Sequence, residues 1–379
     1  MFSAFFICIL FLFLLLLSSC FIHSCQRGCF GFCIPQSPTV FAALTPQNKF
    51  LLNLTPSLFS IQNPVIPLYN RWISTLWVSI RGARPFHSLP PSTTIFIPAF
   101  DAGLIEIELI HPKTPWPNAQ QPTSLNTHIP ILILCPSIGA VLRDPCVADT
   151  FRSAYEDGWI CICLIHRGSG SLQLNKKTLT SWGETRFLQD LMLYVKKTYT
   201  HHPVIAAGFS MGSNWLTKYM GTINEDPHHS LYHAIAGALT FSNCWCPDAP
   251  NYNAYDHIRN SSLAHTAVWK HSSNPIKKAT TNIKTSDIFI QMLNSNNIED
   301  FDKLYHLNIL HHHNWPSALH SISGLSTIHN ITKPFFALGS CDDPFIKLSS
   351  PLLDNYRSLP LKYPTIICAT SPFGGHIAW

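Results

Sequence analysis

Six short, unbroken apolar runs recur along the chain: residues 129–135 (IPILILC), 159–165 (WICICLI), 204–207 (VIAA), 235–241 (IAGALTF), 334–338 (PFFAL) and 365–369 (TIICA). Runs of this length with no polar face predict strands buried on both sides. Ahead of them, residues 94–97 and 104–110, joined through Pro98 and Gly103, predict an opening hairpin. Amphipathic stretches lie between most of the runs; residues 187–199 set Phe187, Leu191, Tyr194 and Val195 on one helical face. Buried strands alternating with helices predict a mainly parallel central sheet with helices on both faces.

The pattern changes at three places. Residues 2–17 are apolar apart from Ser3, and residues 18–22 extend the run to about the twenty positions that cross a bilayer. No Lys or Arg precedes it, so residues 1–22 are expected to form a transmembrane anchor, with a signal cleaved near Ser18, Ser19 and Cys20 as the alternative. Residues 23–93, rich in Pro, Ser, Asn and aromatics without sustained period, read as an irregular arm. Within it, residues 69–77 (YNRWISTLW) are expected to pack on the main domain, a membrane-surface or lid contact being the alternative. Residues 94–379 then form the folded domain, with an insertion over about 243–329 expected to cap a pocket.

Composition narrows the function. The chain has 379 residues, 46% of them hydrophobic and 12% charged, and its formal charge of +5 is scattered, with no basic stripe for nucleic acid. Of thirteen cysteines, Cys8, Cys20, Cys25, Cys29 and Cys33 lie in or beside the apolar segment without a C-x-x-C pair, as unmodified thiols or sites of palmitoylation. Cys161 and Cys163 alternate in a strand-like run and belong to the core. His311, His312 and His313 are adjacent and point in different directions on a helix, with no carboxylate or thiol at ligand spacing, so no metal is expected. The stretch 166–171 (HRGSGS) lacks the third glycine of a dinucleotide loop, and neither a Walker loop nor H-E-x-x-H occurs, so no cofactor is expected. Arg167 is expected to brace loops. Sequons at Asn53, Asn260 and Asn330 matter only if the domain faces a lumen.

The chemistry is concentrated in residues 203–218, PVIAAGFSMGSNWLTK: a strand, a G-x-S-x-G turn and a helix. This is the nucleophile elbow of an α/β-hydrolase fold, in which Gly208 and Gly212 keep β-carbons out of a strained turn and expose the Ser210 hydroxyl. Serine needs an imidazole to take its proton and a carboxylate to orient that imidazole. In this fold they follow in the order Ser, Asp, His. After the fifth apolar run comes Asp342-Asp343-Pro344-Phe345, and after the sixth Gly374-Gly375-His376. Asp343, directly before Pro-Phe, is favoured over Asp342 as the acid, with His376 the base. The oxyanion is expected to bind the backbone amides of Met211 and, from the loop after residue 135, of Ile138, with Ser137 the near alternative.

At these residues the chain resembles the membrane-anchored α/β-hydrolase-domain proteins numbered one to three and their bacterial YheT-like relatives. The resemblance spans roughly residues 63–379: IHRGSGS is similar to that family's N-H-R-G turn, GFSMGSNWLTKYMG to its elbow and helix, LTFSN to the strand before the cap, CDDPF to its acid loop and SPFGGHIAW to its histidine loop. It implies one α/β-hydrolase domain behind an N-terminal anchor, at an endomembrane or the plasma membrane, with esterase, acylglycerol lipase or phospholipase activity and no metal. Some relatives transfer acyl groups to alcohols. Ser213 stands where the family has a second glycine, CPSIGA departs from Pro-Gly-x-x-Gly-Gly, and Cys244-Trp245-Cys246 replaces Pro-aromatic-Asp. The acyltransferase signature H-x-x-x-x-D is absent, and the sequence stops three residues after His376 where relatives continue into a closing helix. The expectation is a serine hydrolase of lipid-like carboxylic esters; the alternatives are an acyltransferase and a catalytically silent protein that binds lipid or a partner.

Overall fold

The computed structural model describes residues 37–60, 72, 74–75, 91–112 and 129–377, apart from 227, 233, 246–247, 250–251, 347 and 349. The anchor expected over residues 1–22 lies outside them. Among the described residues no helix is long and apolar enough to cross a membrane.

The apolar runs become the centre of a sheet of nine strands among the described residues. In chain order they are β1 (Thr39–Ala42), β2 (Thr93–Pro98), β3 (Leu104–Ile110), β4 (Ile131–Cys135), β5 (Ile160–Ile165), β6 (Val204–Phe209), β7 (Gly237–Phe241), then, beyond a small separate hairpin of β8 (Asp248–Ala249) and β9 (Tyr252–Asn253), β10 (Phe335–Ser340) and β11 (Ile366–Ser371). The spatial order is β1-β11-β10-β7-β6-β4-β5-β3-β2. The middle six, β11 to β5, are mutually parallel. The β2–β3 hairpin adds antiparallel at one edge, as the sequence pattern predicts, and β1 adds antiparallel at the other. This is the α/β-hydrolase arrangement.

Burial on both faces is visible within a single strand. In β4, Ile131, Ile133 and Cys135 enter one core while Leu132 and Leu134 enter the other. Helix α2 (Pro145–Glu156) covers the second core with Val147 and Phe151. Helix α3 (Arg186–Thr198) covers the first with Phe187, Leu188, Leu191, Met192 and Val195, the face expected from its period. Helix α4 (Met211–Ile223) follows β6 and is buried along most of its length.

The arm differs from its expected irregularity. Its residues 39–42 form β1, and a short helix, α1 (Pro46–Asn53), follows, started by Thr45 and Pro46. Asn48 is buried in α1 and its Nδ2 donates to the carbonyls of Ala43 (2.9 Å) and Pro364 (2.8 Å), which ties the arm to the loop ahead of β11. The insertion between β7 and β10 is helical: α5 (Ala254–Arg259), α6 (Ser262–Lys277), α7 (Thr281–Lys284), α8 (Asp287–Leu293), α9 (Ile298–Asn308) and α10 (Trp315–Ile322). Helix α11 (Ser350–Lys362) then precedes β11. The parallel strands present their carboxyl ends along one edge, where ligands meet such sheets.

Asn48→Ala is expected to destabilise the protein by about 1–3 kcal/mol, because two backbone acceptors lose their donor. A fall in the urea midpoint measures it, and an unchanged midpoint would mean that the arm is not held there.

Candidate active site

Ser210 sits between β6 and α4 with φ 52° and ψ −114°, a region that side-chain-bearing residues rarely occupy. Its amide donates to the Phe241 carbonyl at 2.9 Å. The flanking glycines are required by contact. A β-carbon on Gly212 would come within 2.1 Å of the Cys135 carbonyl oxygen at the end of β4, and one on Gly208 within 2.6 Å of the Gly212 carbonyl. Ser213, in place of a glycine, is buried, and its hydroxyl lies 2.6 Å from the Gly208 carbonyl, 2.8 Å from the Phe241 carbonyl and 3.0 Å from the Phe241 amide. It straps the helix start to β6 and β7.

The structure brings Ser210, His376 and Asp343 into one line. Ser210 Oγ lies 3.0 Å from His376 Nε2. His376 Nδ1 lies 2.8 Å and 3.1 Å from the two Asp343 carboxylate oxygens. Asp343 is buried, and its Oδ1 accepts the amides of Phe345 and Ile346, each at 2.8 Å. The paired aspartates make different contacts: Asp342 accepts the Gly375 amide at 2.9 Å and the Ser340 hydroxyl. Burial pushes the Asp342 carboxyl up from its ordinary range, against the pull of those hydrogen bonds. Asp342 therefore shapes the histidine loop, where Gly374 and Gly375 take φ of 145° and 52°, while Asp343 meets the imidazole.

The arm packs on the main domain here, as expected of residues 69–77, and the contact falls at this site. The His376 amide donates to Thr75 Oγ1 at 2.9 Å, and the Trp72 ring meets Phe345 edge-on at 5.7 Å, with Phe345 in turn 4.8 Å from the His376 ring.

Met211 is the first residue of α4, so its amide precedes the helix's own acceptors. Ile138 lies in the loop after β4. The start of that loop is pinned by His166, whose Nε2 donates to the Pro136 carbonyl at 3.1 Å and whose ring lies 4.6 Å from that of Trp215. Burial lowers the His166 imidazole to about 4, so it is a neutral ring with a fixed donor. Arg167 braces loops as expected, pairing with Asp101 through both terminal nitrogens and lying 4.5 Å over Phe187.

A cavity of about 240 Å³ opens over Ser210 and His376. Ile138, Pro145, Ile258, Val268, Phe345 and Ile346 supply much of its apolar wall, and among its described lining residues there is no Lys or Arg. A void of about 30 Å³, enough for one water, shares Ile138, Trp182 and His271 with it and touches Met211. Cap and body are joined beside it by Asn214, whose Nδ2 donates to the Trp182 and Ile322 carbonyls, each at 2.7 Å, while its Oδ1 accepts the Gly324 amide at 2.9 Å. His312 and His313 engage different neighbours, Ser321 and Asn314. Among the described residues no three metal-binding side chains converge.

Asp302 on α9 is buried, with the Tyr255 hydroxyl donating to it at 2.9 Å. Burial pushes its carboxyl up to about 7, with the Glu299 charge adding to the rise and hydrogen bonds from Tyr255 and Trp182 opposing it. Because the folded value exceeds the unfolded one of about 4, this group favours the fold most below that pH and loses its contribution as pH rises towards 7. Asp302→Asn should flatten that part of the stability curve measured by chemical denaturation from pH 4 to 8; an unaltered slope would exclude Asp302 as its source.

No protein-family model matches the chain. It is similar to the monoacylglycerol lipase ABHD2 of Danio rerio, 24% identical over 362 residues that cover 91% of this chain and 79% of that protein. The putative esterase YheT of Escherichia coli (strain K12) is 21% identical over 259 residues, 66% of this chain and 71% of that protein. The phospholipase ABHD3 of Homo sapiens is 20% identical over 258 residues, 66% of this chain and 58% of that protein.

Proposed function

We propose that this chain, a relative of the α/β-hydrolase-domain proteins ABHD2, ABHD3 and YheT, hydrolyses lipid-like carboxylic esters with Ser210 as nucleophile, His376 as base and Asp343 as orienting acid. The observation that carries this reading is the His376 ring bridging the Ser210 hydroxyl at 3.0 Å and the buried Asp343 carboxylate at 2.8 Å, on the wall of an apolar cavity.

In this reading the Ser210 hydroxyl attacks the ester carbonyl carbon while His376 Nε2 takes its proton, and Asp343 stabilises the resulting imidazolium through the Nδ1 hydrogen. The carbonyl electrons move to oxygen, which the amides of Met211 and Ile138 receive. Collapse restores the carbonyl, breaks the ester C–O bond and releases the alcohol with the proton from His376. A water deprotonated by His376 then attacks the acyl-serine, releasing the acid and regenerating Ser210. The apolar wall suits an acyl chain. Among the described lining residues there is no Lys or Arg, which favours a neutral acylglycerol over a phosphate-bearing ester. The apolar residues 1–22 would hold the domain at its substrates as a single-pass membrane anchor.

Incubation with a fluorophosphonate should label wild-type protein at Ser210 and leave Ser210→Ala unlabelled. Turnover of acylglycerols should fall about ten-thousandfold or more in that variant. A folded wild type that takes no label would sink the proposal. Alkaline carbonate extraction checks the anchor: the full chain stays in the membrane pellet, and release to the supernatant would remove the single-pass assignment.

A further inference from the structure

The loop that carries Ile138 is held on both sides but not by its own strand. Upstream, His166 fixes the Pro136 carbonyl. Downstream, the Ala140 amide donates to the Ser137 carbonyl at 3.0 Å and the Val141 amide to Asp144 Oδ2 at 2.6 Å. These bonds bracket Ile138 and Gly139. Gly139 itself has φ 67°, a left-handed conformation, and meets the cap: a β-carbon there would lie 2.4 Å from His271 Nδ1 and 2.9 Å from both Cβ and Cγ of His271.

His271 projects from α6, and the same face of that helix makes a second contact one turn later. Gly168, at φ 80° in the loop after β5, approaches Pro275 so closely that a β-carbon would lie 2.7 Å from the proline Cβ. Residues 271 and 275 are four apart and share a helical face. The cap helix thus rests on two left-handed glycines of two different loops. His271 also lines the cavity over Ser210.

We propose that His271 is a positioning residue: by packing on Gly139 it holds the neighbouring Ile138 amide in its oxyanion-receiving orientation, so that the donor loop is organised by the seated cap helix. This rests on the esterase reading of the site. It also accounts for a donor loop with one glycine, since the constraint comes from a side chain laid on the loop from outside. Burial lowers the His271 imidazole from its ordinary value, with Asp144 pulling it up and Lys270 adding to the depression.

The contacting atoms dictate the test. Nδ1, Cβ and Cγ of His271 are the atoms nearest the place a Gly139 β-carbon would take, and asparagine reproduces all three positions without an imidazole. With full-length protein and a soluble short-chain ester, His271→Ala should lower kcat about ten- to a hundredfold with KM within about twofold, because a misaimed oxyanion donor weakens transition-state binding alone. Saturating fluorophosphonate labelling of Ser210 counts folded sites and should be unchanged. His271→Asn should recover kcat to within about threefold of wild type, having restored the packing. Wild-type turnover by His271→Ala, or an asparagine variant as impaired as alanine, overturns the proposal; the second outcome would assign the imidazole chemistry of its own. If His271→Ala fails to fold, His271→Asn alone decides, since retained kcat supports the contact and collapse refutes it. Failure of wild type itself to label belongs to the esterase reading and is seen separately.

Discussion

The architecture of this site depends on one close crossing, where the end of β4 passes over the start of α4 at Gly212. Any side chain there would clash with the Cys135 carbonyl, well inside van der Waals contact, so the two elements would have to separate. Separation would carry residues 136–140 away from Ser210 and release the serine from a backbone conformation that costs on the order of 1–3 kcal/mol. The surrounding bonds offset that strain: the Ser210 amide is taken by Phe241, and the Ser213 hydroxyl links α4 to two strands. The placing of the Ser210 hydroxyl on the cavity wall is a product of tight packing between three strands and one helix.

Much of this was legible in the sequence because the strands involved are buried on both faces, which leaves a run with no polar position. β1 was not legible. It is four residues long, lies at a sheet edge and is only partly buried, so it carries no such run. The cap was legible as an insertion but not as helices, because Asn and Ser read as loop residues while several of them start helices. Ser261, Asn297 and Asn314 each accept the amide three residues on, the N-cap contact. The order of Ser210, the paired aspartates and His376 was readable, and so was the preference for Asp343 from its place before Pro-Phe; the Asp342 contacts with Ser340 and Gly375 were not, since they depend on where the folded loop points that carboxylate. Thr75 and His271 reach the site from a distant arm and an inserted helix, and no spacing rule encodes either contact.

Ser213, which departs from the resembled family, and Trp245, which keeps the aromatic place of its pattern, both have structural reasons. Ser213 uses its hydroxyl as a cross-link that a glycine could not supply. Trp245 takes φ 53° and is fully buried, its ring edge-on to Tyr356 at 5.5 Å and 6.2 Å from Phe335, while its amide and carbonyl are bonded to Asn243 and to Ser323 and Leu325. It wedges the entry to the cap against the sheet. Cys244 beside it lines the cavity.

The pairing of β1 with β11 has a consequence for synthesis. Residues 39–42 leave the ribosome early, yet their partner strand is made more than three hundred residues later, and closing so long a loop is slow. β11 is also the strand that delivers the His376 loop. Until that strand is made Ser210 has no imidazole beside it, so the contact between Ser210 and His376 forms only as the sheet is completed.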